Sequence, residues 1–106
     1  MNEKLIRDNI PDLVLKNENR SLDTRIASNE EALQLLKIKL VEEANEVLNS
    51  PNKENLIEEL GDVLEVMKEL TTRNNIVEEV FNKRHSKYLE KGGFSKNIVL
   101  IGSCKK

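Results

Sequence analysis

The feature that most constrains this chain is a pair of long helical runs separated by a proline break. In the first run, Leu33, Leu36, Leu40, Ala44 and Val47 recur at three- and four-residue intervals, the period of one helix face. Ser28 followed by Glu31 reads as a capping box, in which hydroxyl and carboxylate each satisfy an orphan N–H. The run ends near Asn49, because Ser50-Pro51-Asn52 cannot continue a helix interior. From about Lys53 to Thr72 the period resumes with Leu56, Leu60, Val63, Met67 and Leu70. A connection this short makes the two helices antiparallel neighbours.

The rest of the chain is organised around that hairpin. Lys4 to Asn17 contains Pro11, which suits the first turn of a short helix because its missing N–H is one of the orphans there. Asn17 to Ser28 is a polar connection with a short extended piece around Thr24 to Ala27. Asn74 and Asn75 make the next break. A third helix runs from about Ile76 to Lys91, with Asn75 as its cap and Glu78 three residues on, and Gly92-Gly93 stop it. Phe94 to Lys106 is a tail with a β-like run, Ile98 to Ile101. No repeat or long linker divides the chain, so residues 1–106 are expected to be one helical domain. The expected fold class is all-α: a helical bundle built around an antiparallel hairpin of two long helices, with a third helix and a short extended C-terminal tail.

Composition narrows the function classes. Apolar residues are 38% and aromatics 3% of the 106 residues, so the core is lean and a homo-oligomer is expected. A net charge of -2 lacks the basic excess of a nucleic-acid binder. The single cysteine, Cys104, excludes a disulfide framework within one chain and fits a reduced, cytoplasmic setting. No apolar run has the length of a membrane span, and Met1 to Ile10 is charged, without the apolar centre of a signal peptide.

The chemistry lies in acids carried on the hairpin. Glu43 and Glu46 on the first arm, and Glu59 and Asp62 on the second, are i, i+3 pairs that share a helix face. At about 100° per residue, Glu43 lies about 60–70° from the centre of its apolar stripe and Glu46 about 120–130°. By the same geometry Glu59 lies about 75° from its stripe centre and Asp62 about 135°. Glu46 and Glu59 are equidistant from the Asn52–Lys53 link, as are Glu43 and Asp62, so an antiparallel hairpin sets each pair at one level. A compact square follows, with Glu46 beside Glu59 and Glu43 beside Asp62. Four close carboxylates repel without a cation, and oxygen ligands in that number suit Mg²⁺ or Mn²⁺. With no histidine in the cluster and Cys104 distant, structural zinc is disfavoured. The competing reading is an ordinary solvated acidic face.

Glu42-Glu43-Ala44-Asn45-Glu46, then twelve residues, then Glu59-Leu60-Gly61-Asp62 resembles the EExxE…ExxD signature of the MazG-like, all-α nucleoside triphosphate pyrophosphohydrolases. The closer resemblance is to their phosphoribosyl-ATP pyrophosphatase-like branch. Lys4 to Pro11 is similar to that branch's opening block, Lys39 to Ala44 to its run into the acidic motif, and Lys91-Gly92-Gly93-Phe94 to its closing block. Asn9 stands where the branch commonly has Lys, and Lys91 where Arg is common, which keeps the charge but loses the bidentate fork. The resemblance spans about residues 4 to 101. It implies a homodimer or homotetramer and Mg²⁺-dependent cleavage of a nucleoside triphosphate between the α and β phosphates. The metal-ligand positions then fall on Glu43, Glu46, Glu59 and Asp62, with Glu42 as the motif's remaining acid.

For such a reaction a carboxylate free of full coordination accepts a proton from water, and Glu46 and Glu42 are the candidates. Lys39, one turn before Glu43, is the best-placed phosphate contact, with an i, i+4 salt bridge to Glu43 as its competing role. Arg7, Arg84, Lys87 and Lys91 are further candidates, the last three at helical spacing on the third helix. His85 reads as a surface residue, Met67 as core, and Tyr88 and Phe94 as packing residues rather than base-stacking ones. Two other functions compete: a metal-free helical oligomerisation or regulatory module, and a divergent family member that binds nucleotides without turning them over.

Overall fold

The computed structural model describes residues 3–105. Met1, Asn2 and Lys106, the ends of the expected domain and tail, lie outside them. Among the described residues there are four helices and no strand: α1 (Ile10–Glu18), α2 (Asn29–Leu48), α3 (Lys53–Arg73) and α4 (Val77–Lys91). Neither Thr24–Ala27 nor Ile98–Ile101 forms a strand. Each lacks a second strand to bond with, and a backbone ladder needs two partners.

Local chemistry sets the helix ends. Pro11 occupies the first turn of α1, and Asn19 closes that helix in the left-handed region at φ 51°. Ser28 caps α2, its hydroxyl accepting the Glu31 N–H at 3.2 Å. Only this half of the expected capping box forms. The Glu31 carboxylate turns instead to the Arg25 guanidinium, which donates to both of its oxygens at 2.9 and 2.6 Å. A bidentate, charge-assisted pair outcompetes one bond to a backbone N–H. Asn52 caps α3 by accepting the Asn55 N–H at 2.9 Å.

The α3–α4 junction corrects a second expectation. Asn75 does not cap α4; it sits at φ 55° just past the end of α3. The Asn75 N–H reaches the Thr72 carbonyl at 3.1 Å and the Ile76 N–H the Thr71 carbonyl at 3.0 Å. This is the paired hydrogen-bond closure of a left-handed C-terminal cap, a conformation asparagine tolerates better than most residues. The helix N-cap falls on Ile76, which makes no side-chain cap bond. Gly92 ends α4 at φ 80°, its N–H bonded to the Tyr88 carbonyl.

Packing is concentrated between α2 and α3, which lie against one another, while α4 meets only α3. The buried residues among those described are Ala32 and Leu36 of α2 and Val66 of α3; α1 and α4 supply none. The chain is extended, 65 × 34 × 22 Å, with a radius of gyration of 18.5 Å where a compact chain of this length has about 13 Å. It exposes 9978 Å², against about 6,100 Å² for a compact monomer of 12.2 kDa. No described helix is long and apolar enough to cross a membrane.

Candidate functional site

The acids come together where α2 and α3 face each other. One carboxylate oxygen from each of Glu43, Glu59 and Asp62 lies within 4.8 Å of the other two, and all three residues are half-buried. Glu59 and Asp62 share a face of α3 through their i, i+3 spacing, and Glu43 approaches from α2. Glu46 is exposed and stands outside this set. Its charge still reaches Glu59. Partial desolvation pushes the Glu59 carboxyl above the usual range, and the charges of Glu46, Asp62, Glu43 and Glu58 push it further the same way.

Two cations already border the cluster. The Lys39 ammonium lies 3.6 Å from Glu43 and 3.8 Å from Glu42, with side chains of Lys39 and Glu43 only 21% and 13% exposed. Arg7, from the segment before α1, donates to Asp62 at 2.7 Å. That pair is open to water, at 58% and 39% exposure, so it is held weakly.

Both cations and two of the acids, Glu43 and Asp62, line a cleft of about 750 Å³. Its floor includes Leu36 and Val66, and the segment Lys4 to Ile10 forms one wall. A cleft of this size falls in the range of small-molecule sites, in which apolar walls carry a few charged groups. The donor set is all oxygen, from carboxylates on two helices, and so fits a hard divalent cation such as Mg²⁺ or Mn²⁺.

The structure leaves Arg84, Lys87 and Lys91 on the exposed α4, away from the lining of this cleft. It adds Lys4 and Arg73, which the sequence reading passed over. Arg73 was legible in principle: Asp62, Val66, Glu69 and Arg73 follow one another at helical intervals on a single face, and Arg73 pairs with Glu69 at 2.7 Å. Cys104 is a free, exposed thiol. No family profile, curated protein or solved structure matches the chain, so the functional reading rests on its own residues and geometry.

Proposed function

We propose that this chain is a Mg²⁺-dependent nucleotide pyrophosphohydrolase, a divergent relative of the MazG-like enzymes, cleaving a nucleoside triphosphate between the α and β phosphates. The observation that carries the reading is the convergence of Glu43, Glu59 and Asp62 from α2 and α3 beside a cleft lined by Lys39, Arg7 and Arg73. Acids for a divalent cation and bases for phosphate oxygens stand side by side, which is the combination a polyanionic substrate with its metal requires. The two long helices are read as an antiparallel hairpin, since Leu36, Lys39 and Glu43 line the same cleft as Glu69, Val66 and Asp62.

Glu43, Glu59 and Asp62 would hold the ion, with Glu46 near enough in charge to join them. Bound there, Mg²⁺ supplies Lewis-acid polarisation of phosphoryl oxygens and a more acidic water. The protein's own groups do the rest. Lys39 is positioned by two acids and offers a half-buried positive charge to the phosphates. Arg7 is displaced from Asp62 at low cost, because its pair is solvent-exposed, and the freed fork suits two phosphate oxygens. Glu46 forms no ion pair among the described residues, so it is better placed than Glu42 to accept a proton from water. Leu36 and Val66 give the nucleoside an apolar floor.

The test is release of pyrophosphate and nucleoside monophosphate from a panel of nucleoside triphosphates and phosphoribosyl-ATP. Turnover is expected with Mg²⁺ and not with chelator, and Glu43→Gln should lower it by at least about a hundredfold, on the scale of lost charge stabilisation. Intact turnover in that variant would overturn the assignment. Nucleotide binding without product would indicate a binding protein. Neither binding nor turnover would leave a helical oligomerisation module, a reading favoured by the large exposed apolar surface.

A further inference from the structure

Resting on the reading of Glu43, Glu59 and Asp62 as a divalent-metal site, we propose that Arg7 competes with the ion for Asp62 and makes residues 3–9 a metal-released latch on the cleft. This arm precedes α1 and forms neither helix nor strand. Two ion pairs tie it down. Near its start, Glu3 accepts from Arg25 at 2.7 Å, and Arg25 is itself anchored on the Glu31 carboxylate in the first turn of α2. Near its end, Arg7 donates to Asp62 at 2.7 Å. Between these two ties only Leu5 is half-buried. α1, which follows, lies against none of the other described helices. Arg7 therefore leaves Asp62 by breaking one exposed ion pair, with no packed core to disturb, while Glu3 and Leu5 keep the arm on the protein.

Charge makes this contact a switch. The cleft lining holds four basic and five acidic residues, so its net charge is 4 − 5 = −1. Three of the bases are paired with acids of the same lining: Lys39 with Glu43, Arg7 with Asp62 and Arg73 with Glu69. A lining so neutralised offers a polyanion no attraction. A divalent ion on Glu43 and Asp62 takes the balance to −1 + 2 = +1. It also weakens the hold of Arg7 on Asp62, because like charges around one carboxylate repel. Lys39 stays fixed on α2, whereas Arg7, carried on the arm, turns its fork to phosphate oxygens. The ion thus binds first and the triphosphate second. Arg7 lowers affinity for the first and raises it for the second.

That opposition is the test. Mn²⁺ binding is followed by electron paramagnetic resonance, and binding of inorganic tripolyphosphate by calorimetry with Mn²⁺ present, in wild type and Arg7→Gln. The variant should bind Mn²⁺ about two- to fivefold more tightly, the worth of an exposed ion pair. It should bind tripolyphosphate at least about tenfold more weakly, as loss of a hydrogen bond between charged groups does. Arg7→Lys, which keeps the charge, should stay near wild type in Mn²⁺ binding. A merely structural role for Arg7 would weaken both ligands together. Equal or weaker Mn²⁺ binding by Arg7→Gln overturns the proposal and leaves the metal site standing, as does tripolyphosphate binding that the substitution leaves unchanged. Absence of Mn²⁺ binding by both proteins overturns the metal site and the latch with it.

Discussion

The α2–α3 pair and the α4 arm are all periodic helices yet differ in what holds them. Both have helical periodicity and defined stops. α2 and α3 each begin on a side-chain cap, bury apolar residues against one another and carry the acids of the candidate site. α4 begins on Ile76 without a cap bond and buries nothing. Periodicity specifies a helix and its apolar face, but stability comes from what covers that face. In α2 and α3 that cover is supplied within the chain; α4 meets α3 but leaves its side chains exposed.

The largest expected effect would break that comparison if it failed. Leu36→Ala removes one of the three side chains buried among the described residues and should cost about 2–5 kcal/mol in urea unfolding. Phe81→Ala, at an exposed position of α4, should change stability by less than about 0.5 kcal/mol. Equal losses would erase the distinction between the two regions. Next in size is the cap of α3: Asn52→Ala should cost about 1 kcal/mol by orphaning the Asn55 N–H.

Gly61 sharpens the picture within α3. A Cβ added there meets nothing within 4 Å, so Gly61→Ala should stabilise the helix by about 0.5–1 kcal/mol. A loss on thermal melting would mean that another group approaches this backbone closely. At the acidic cluster, Glu59→Gln should raise Tm by a few degrees in chelator-treated buffer, because it removes a charge that its neighbours disfavour. An unchanged or lower Tm would mean that the carboxylates do not repel one another as their spacing implies.

The smallest effect concerns the entry to α2. Two hydrogen bonds from Arg25 hold the Glu31 carboxyl below its usual range. A depressed carboxylate contributes stability that is fully present above its unfolded pKa and is lost as pH falls through the folded value. The Tm difference between wild type and Glu31→Gln should therefore be small at neutral pH and vanish in acid. A difference that persists in acid would assign the effect to something other than the ion pair.

What was legible in the sequence was local. The bounds of α2 and α3 follow from Ser28, Asn52 and a 3.6-residue period, all short-range signals. The approach of Glu43 to Asp62 was legible from their equal distances to the Asn52–Lys53 link, and that of Glu59 only through its i, i+3 spacing to Asp62. Of the expected square of four acids, Glu43, Glu59 and Asp62 draw together, while Glu46 is exposed and stands outside them. The misreadings involve competition between groups. Asn75 suits an N-cap and a left-handed C-cap, and the orphan carbonyls of α3 claim it. Glu31 is claimed by Arg25 from outside the helix. Arg7 and Asp62 are 55 positions apart, and no periodicity links the segment before α1 to α3.

Divalent-metal binding by the α2–α3 acids is the central claim, and manganese titration followed by electron paramagnetic resonance tests it most directly. The account predicts saturable binding of Mn²⁺, competed by Mg²⁺, that is lost in Asp62→Asn and retained in Glu78→Gln on α4. No binding at millimolar metal, or binding that Asp62→Asn leaves unchanged, would contradict it.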